Sequence, residues 1–219
     1  MMFVFYGQPK AGKTTLAFSG KADIFLDYDY GAQFIDIKGC ERVEAPIVAW
    51  LHKFQPKRGQ WVIVDTLTQM HAHILNELTA ASPSRSSQPT LKHRAAANDV
   101  LGQFLRSVRG AGAHLVATCQ DRVDAAEDWR APDDANQESV KSLGLDLPRG
   151  AASKITAMAD VIGRVYINDD RERVCWLASA PGQVTGARSA VWDNNPPYVV
   201  DPTLPKITYL LGYTKTRQN

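Results

Sequence analysis

An eight-residue run near the start of the sequence has the residue types needed to bind a chain of phosphates. The run follows the pattern G-x-x-x-x-G-K-[ST] and consists of Gly7, Gln8, Pro9, Lys10, Ala11, Gly12, Lys13 and Thr14. Glycines let the backbone turn and present N–H groups to phosphate oxygens, and a helix beginning at Lys13–Thr15 adds its positive dipole end. We expect Lys13 to reach the β- and γ-phosphates of a nucleotide and the Thr14 hydroxyl to bind Mg²⁺. Thr15 completes the expected nucleotide-binding set.

Acidic residues follow two apolar runs and could act on the bound phosphates. Asp65 ends the run Trp61–Val64, a pattern typical of a strand whose last carboxylate holds the Mg²⁺ shell. Asp27 and Asp29 follow another such run, and in an extended chain both point to the same side. Either could orient a water against the γ-phosphate, so Asp29 is the favoured base and Asp27 the alternative.

A side-chain amide ends a further apolar run. The segment His114–Gln120 is apolar up to Cys119 and then reaches Gln120. In a sheet of parallel strands, ligands bind at the carboxyl ends of the strands. We therefore expect Gln120 to sense the γ-phosphate by hydrogen bonding, although a polar residue is also ordinary at the end of a strand.

The elements that position these residues alternate between strands and helices. Runs rich in β-branched and aromatic residues predict strands at Met2–Tyr6, Ala22–Leu26, Trp61–Val64, His114–Thr118, Val161–Ile167 and Val174–Ala178. Helical periodicity predicts helices at Lys13–Ser19, Ala45–Phe54, Leu67–Thr79 and Ala95–Arg109. The alternation predicts an α/β fold with a mostly parallel sheet covered by helices on both faces. The last two strands are expected to form a C-terminal β-hairpin.

Length and composition limit the possible architectures. The 219 residues fit one domain, 1–219, and 44% apolar with 22% charged residues argues against wholesale disorder. Two polar segments, 81–94 and 121–149, are predicted to be long loops, and 194–219 a C-terminal strap. No apolar run approaches the length of a membrane-spanning helix, so we expect no membrane partner. Three scattered cysteines indicate a reducing cytoplasm.

The order of these parts resembles the core of the RecA-like P-loop ATPases. The phosphate loop, the acidic end of the second strand, the segment WVIVD and the segment ATCQ before a long polar loop carry the resemblance, over roughly residues 2–188. The nearest likeness within that family is to phage AAA-type ATP-binding proteins, including the phage RecA-like single-strand annealing ATPases. The resemblance implies an ATPase that uses ATP and Mg²⁺, in the cytoplasm of a bacterial host if a phage encodes it.

The same resemblance implies roles for individual residues. The fourth predicted strand should lie between the phosphate-loop strand and the WVIVD strand. Asp29 should activate water, at a position where family members typically carry Glu, and Gln120 should end the fourth strand. The segment Thr185–Arg188 resembles the site from which a basic side chain reaches the neighbouring subunit's γ-phosphate, although a lysine often expected two places earlier is Gly186 here. Arg188 is thus the candidate residue in a head-to-tail homo-oligomer.

Family members also carry two DNA-binding loops, which match the two predicted loops by position. The first contains Arg85, Lys92, His93 and Arg94 and no acidic residue, which suits contacts to phosphates. The second has eight acidic and three basic residues between positions 121 and 148, which disfavours a polyanion. The favoured hypothesis is an ATPase acting on single-stranded DNA in phage recombination, annealing or replication. The alternatives are a P-loop kinase of a small metabolite and a nucleotide-binding regulator with little turnover.

Overall fold

A computed structural model of the chain describes residues 1–35, 37, 39–82, 88–124, 142–189 and 195–213. The strands within these ranges are β1 (Met2–Gly7), β2 (Ile24–Asp27), β3 (Glu41–Glu44), β4 (Trp61–Asp65), β5 (His114–Asp124), β6 (Ser142–Leu145), β7 (Val161–Ile167), β8 (Arg173–Trp176), β9 (Gly186–Ala187) and β10 (Tyr198–Val200). The helices are α1 (Lys13–Ala17), α2 (Val48–Lys53), α3 (Leu67–Ala80), α4 (Leu91–Gly110), α5 (Arg149–Met158) and α6 (Leu204–Leu210), with a 3₁₀ helix at Gly31–Phe34.

The strands form one sheet with the order β10-β8-β7-β1-β5-β4-β2-β3, and β6 and β9 pair with β5 and β7. The strands from β7 to β3 in this order run parallel to one another. The fourth predicted strand, β5, lies between the phosphate-loop strand β1 and the WVIVD strand β4, as expected. The hairpin of β7 and β8 is antiparallel. The predicted α/β fold with a mostly parallel sheet and a C-terminal hairpin is confirmed.

Helices cover both faces of the sheet because the central strand β1 is apolar on both sides. Val4 and Tyr6 belong to a core cluster with residues of α2, α3, α4 and α5, whereas Phe3 and Phe5 belong to a second cluster with residues of α1 and α6. All six residues of β1 are buried. Such two-sided burial is typical of a parallel strand. Within the described ranges, no helix is both long enough and apolar enough to cross a bilayer.

The register of the parallel strands brings the polar strand ends to one edge of the sheet. Gly7 at the end of β1 pairs with Gln120 of β5, and Asp27 at the end of β2 pairs with Asp65 at the end of β4. Each of these residues follows a buried apolar run, so the edge is polar where the sheet core ends. We call this edge the carboxyl edge and the opposite one the amino edge.

Parts of the predicted loops and of the predicted strap are wrong. Strand β5 continues through Asp124 and pairs with β6, so the described parts of segment 121–149 include two antiparallel strands. Helix α5 follows directly after Pro148. Helix α4 begins at Leu91, inside the predicted 81–94 loop, because Thr90 and His93 form a reciprocal capping box. Residues 83–87 and 125–141 lie outside the described residues.

The predicted strap 194–219 contains a strand and a helix in its described part. Strand β10 adds to the sheet beside β8. Helix α6 begins after Thr203, whose hydroxyl accepts a hydrogen bond from the Lys206 amide, with Pro205 in the first turn. Proline is favoured there because its missing N–H would have no partner in the helix. The prolines that indicated an extended chain therefore mark, in part, the start of a helix.

Candidate functional site

The phosphate loop has a backbone that depends on its two glycines. Gly12 has φ +87°, in the left-handed region that disfavours a side chain. A Cβ on Gly7 would lie 2.0 Å from the carbonyl oxygen of Val165 in β7, so the end of β1 can approach its neighbour only as glycine. The loop thus connects β1 to α1 in the strand–loop–helix order that the motif requires.

The Lys13 ammonium lies inside the loop. Its Nζ donates to the carbonyl oxygens of Gly7 at 2.8 Å and Gln8 at 2.7 Å. The residue is 7% exposed, and burial lowers the pKa of the amine, with the nearby Asp65 carboxylate acting in the opposite direction. A partly desolvated cation held by two carbonyl dipoles favours an anion in the adjoining cleft.

Asp65 receives a hydrogen bond on each carboxylate oxygen. The Thr14 hydroxyl donates to Oδ2 at 2.9 Å, and the Thr118 hydroxyl of β5 donates to Oδ1. Asp65 is 1% exposed, and burial raises the pKa of its carboxyl, which the two hydroxyl hydrogen bonds oppose. In the described part of the chain, the carboxylate therefore occupies a desolvated position and accepts its side-chain hydrogen bonds from neutral hydroxyl groups.

The oxygens of Thr14 and Asp65 fit a magnesium site. They are 2.9 Å apart, and both are hard oxygen donors of the kind that Mg²⁺ prefers. Protein sites for Mg²⁺ often provide only one or two such ligands, and waters and substrate phosphates supply the others. A divalent cation would also stabilise the buried carboxylate, whose ionised form burial disfavours.

Asp27 and Asp29 have different surroundings, which separates the two candidates for the base. Asp27 is fully buried, its Oδ2 accepts from the Arg42 guanidinium at 2.5 and 3.0 Å, and its Oδ1 accepts from the Tyr30 amide at 2.8 Å. Asp27 therefore fixes the end of β2. The Asp29 amide donates to the carbonyl oxygen of Asp65 at 3.1 Å, and Asp29 lines the cleft beside the phosphate loop.

The Asp29 carboxyl has a raised pKa. Burial is the main cause, the negative charge of Asp27 adds to it, and the Lys13 ammonium opposes it. Gln120 lines the same cleft, and its backbone amide donates to the Thr68 hydroxyl at 3.1 Å. A carboxylate and an amide thus face the space next to the phosphate loop, as the sequence predicts.

The cleft has a volume of about 460 Å³ and collects most of the predicted site residues. Those that line it are Pro9, Lys10, Gly12, Lys13, Thr14, Thr15, Asp29, Asp65 and Gln120. Among the others, Gly7 and Gln8 supply the carbonyl oxygens that hold Lys13, and Ala11 is buried with the core residues of α1. The described loop and strand ends therefore form one site.

Arg188 does not line this cleft. It follows β9, whose Gly186 and Ala187 pair with the beginning of β7, so it lies at the amino edge. Its guanidinium donates to the carbonyl oxygen of Ala157 at 2.6 Å and is 3.9 Å from Asp160. The side chain is half exposed.

Thr118 and Arg173 belong to this site but are not among the residues that the sequence analysis predicts. Thr118 precedes Gln120 by two positions and so shares its side of β5, which is a signal that the sequence contains. Arg173 also lines the cleft, but it comes from β8, far along the chain from the other members. No local motif marks Arg173, because only the hairpin pairing brings it to the phosphate loop.

The difference between the two aspartates predicts different effects on stability. Asp27→Asn breaks the ion pair with Arg42, in which the Asp27 carboxylate is fully buried. The free energy of unfolding should fall by about 3 kcal/mol, the lower end of the range for buried ion pairs, because Arg42 is partly exposed. Asp29→Asn should keep or raise stability at pH 7, because the raised pKa means that the folded state disfavours the ionised carboxyl. Urea unfolding of both variants measures this. A larger loss of unfolding free energy in Asp29→Asn than in Asp27→Asn would contradict the structural role given to Asp27.

Comparison with known proteins identifies the family to which the chain belongs. A family model described as an AAA domain matches residues 1–189, which include the phosphate loop, the three acidic residues and Gln120. A search of curated proteins finds no match. The chain belongs to the AAA domain family and so to the P-loop nucleotide-binding ATPases.

Proposed function

We propose that this AAA-domain protein is an Mg²⁺-dependent ATPase that acts on single-stranded DNA in phage recombination, annealing or replication. The observation that carries the ATPase proposal is the cleft in which Lys13, Asp65 and Asp29 meet. Phosphoryl transfer to water needs a cation for the phosphates, a ligand for the metal and a carboxylate that can act on the water. Lys13 supplies the first, Asp65 the second and Asp29 the third, and Asp29 forms no ion pair in the described chain.

Each residue has one task in the proposed reaction. The loop and Lys13 bind the β- and γ-phosphates, and Thr14 and Asp65 hold Mg²⁺, which supplies charge neutralisation on the phosphate oxygens. Asp29 orients the attacking water and accepts its proton. Gln120 hydrogen-bonds at the γ-phosphate end of the cleft. Asp27 does not take the role of the base, because Arg42 and the Tyr30 amide already occupy its oxygens.

Replacing the proposed base separates binding from hydrolysis. Asp29→Asn is isosteric and cannot accept a proton, so it should lower ATP turnover about 100- to 10,000-fold with little change in ATP affinity. In the parent, turnover should fall on acidification as Asp29 protonates, at a pH above that for an ordinary aspartate because its pKa is raised. Steady-state phosphate release and nucleotide titration measure both effects. Parent-like turnover in Asp29→Asn would remove Asp29 from the mechanism, and Asp29→Glu serves as the variant that retains a carboxylate.

The proposal for DNA rests on the basic start of α4. Lys92 and Arg94 are exposed in the first helical turn, which contains no acidic residue. Cations at this position oppose the helix dipole, so folding alone does not favour them. Helix α4 is 20 residues long and ends just before the amino-edge start of β5, so its first turn points towards the carboxyl edge. His93, expected to join them, instead caps its own helix through Nδ1.

Binding of single-stranded DNA should depend on these two cations. The double variant Lys92→Ala/Arg94→Ala should weaken binding and reduce the slope of log K against log salt by up to ~1.4, the value for two phosphate contacts on a single strand. The matched control is Lys57→Ala/Arg58→Ala, which removes two exposed cations at the amino edge. Fluorescence anisotropy with an oligonucleotide across a salt series measures the slope. Equal slopes for both double variants, or parent ATP turnover that single-stranded DNA leaves unchanged, would contradict the DNA proposal.

We also propose a head-to-tail homo-oligomer in which Arg188 completes the neighbour's nucleotide site. Support comes from the position of Arg188, which lies half exposed at the amino edge and away from the cleft of its own chain. A guanidinium supplied by a neighbour would stabilise charge on the γ-phosphoryl oxygens in the transition state.

A mixing experiment tests the contribution of Arg188. Arg188→Ala and Lys13→Ala should each be inactive alone, whereas a mixture contains interfaces that pair an intact Lys13 with an intact Arg188 and should regain part of the ATP turnover. If Arg188→Ala alone hydrolyses ATP like the parent, or if mixing restores nothing, Arg188 does not act across an interface.

A further inference from the structure

Arg173 is the member of the cleft whose position neither the phosphate-loop motif nor the strand-end carboxylates explain. It is the first residue of β8 and pairs with Ile167 across the hairpin. Its carbonyl oxygen accepts from the Asp201 amide at 2.8 Å, so hydrogen bonds on two sides fix its backbone. The side chain extends from this fixed point into the cleft.

The hairpin turn before Arg173 is itself well ordered by hydrogen bonds. The Asn168 amide donates to the Glu172 carbonyl oxygen at 3.0 Å, and the Glu172 amide donates to the Asn168 side-chain oxygen at 2.8 Å. The Asn168 side-chain nitrogen donates to the Glu172 carboxylate at 3.0 Å. These hydrogen bonds hold the turn that leads into Arg173 in a defined conformation.

The guanidinium of Arg173 lies directly against the phosphate loop. A Cβ added to Gly12 would be 2.3 Å from Nε and 2.6 Å from Cζ of Arg173. Glycine is therefore required at position 12 for two reasons: the backbone is left-handed, and a side chain would occupy the space taken by Arg173. The residue that precedes Lys13 in the motif is thus covered by an arginine from the far end of the chain.

The same guanidinium has a donor without an acceptor. Nε of Arg173 is buried and has no hydrogen-bond partner in the part of the chain that the structure describes. No described carboxylate forms an ion pair with this arginine either, although Asp29 and Asp65 line the same cleft. A buried N–H of a charged group is costly without an acceptor, so the site favours an anionic ligand with several oxygens.

We propose that Arg173 binds the phosphate chain of the nucleotide from within the same polypeptide, as a second cation opposite Lys13. The proposal rests on the ATP site proposed above and adds a ligand to it. A planar guanidinium can donate two parallel hydrogen bonds to phosphate oxygens, which an ammonium cannot. The β7–β8 hairpin then acts as a part of the nucleotide site, and Asn168 and Glu172 position its cation.

Titration with Mg²⁺-ATP tests this assignment. Arg173→Gln should weaken ATP binding about tenfold to a hundredfold, the effect of losing hydrogen bonds from a charged group. Arg173→Lys keeps the positive charge but loses the planar pair of N–H donors, so its affinity for ATP should lie between those of the parent and Arg173→Gln. The matched control is Arg171→Gln, which removes an exposed arginine from the same turn and should leave affinity unchanged. Isothermal titration calorimetry and the ATP-induced rise in melting temperature provide two readouts that do not require turnover.

The outcomes separate this inference from the proposed function. Loss of ATP affinity in both Arg173→Gln and Lys13→Ala, with melting temperatures of the nucleotide-free variants near the parent value, supports a direct contact. Parent-like affinity in Arg173→Gln together with lost affinity in Lys13→Ala overturns the role of Arg173 and leaves the ATP site intact. Absence of ATP binding by the parent overturns both. If Arg173→Gln does not fold, parent-like affinity in Arg173→Lys contradicts the bidentate contact.

Discussion

A buried carboxylate whose hydrogen-bond donors, among the described residues, are two hydroxyl groups is the feature on which the rest of the proposed site depends. Asp65 is 1% exposed, and in the described part of the chain no ion pair neutralises it. The hydroxyls of Thr14 and Thr118 satisfy its oxygens as hydrogen-bond acceptors but supply no full charge. Such a group is costly to bury in ionised form, and a divalent cation bound beside it offsets that cost. A divalent cation would therefore fit where the phosphate loop meets the sheet.

The strand order of the sheet is what makes this arrangement possible. Strand β4 lies between β5 and β2, so Asp65 has a hydroxyl donor from one neighbour and the Asp27–Asp29 segment on the other side. The backbone amides of Tyr28 and Asp29 both donate to the Asp65 carbonyl oxygen, at 2.8 and 3.1 Å. The proposed base and the proposed metal ligand are therefore tied to the same peptide group, which limits how far they can move relative to each other.

Sequence alone predicts the features that depend on local patterns. The phosphate loop, the parallel strands and the place of Asp65 follow from spacing and from apolar runs, since buried strands must be apolar on both faces. The sequence favours Asp29 over Asp27 as the base but cannot show how their surroundings differ, because that difference comes from Arg42 in the adjacent strand β3. That strand is polar and exposed at its ends, so no apolar run indicates it. Arg173 could not be found because it reaches Gly12 only through long-range pairing of β7 with β1 and β8.

Magnesium dependence of ATP binding decides whether Asp65 holds the metal. The affinity of the parent for ATP should rise when Mg²⁺ is added, and the isosteric Asp65→Asn should lose that rise while it still binds metal-free ATP through Lys13 and the loop. Asp29→Asn, which leaves the Thr14–Asp65 pair in place, should keep the full rise. Calorimetric titrations with and without Mg²⁺ give the three comparisons. If Asp65→Asn gains as much affinity from Mg²⁺ as the parent does, Asp65 is only a hydrogen-bond acceptor at the end of β4 and the account of the site is wrong.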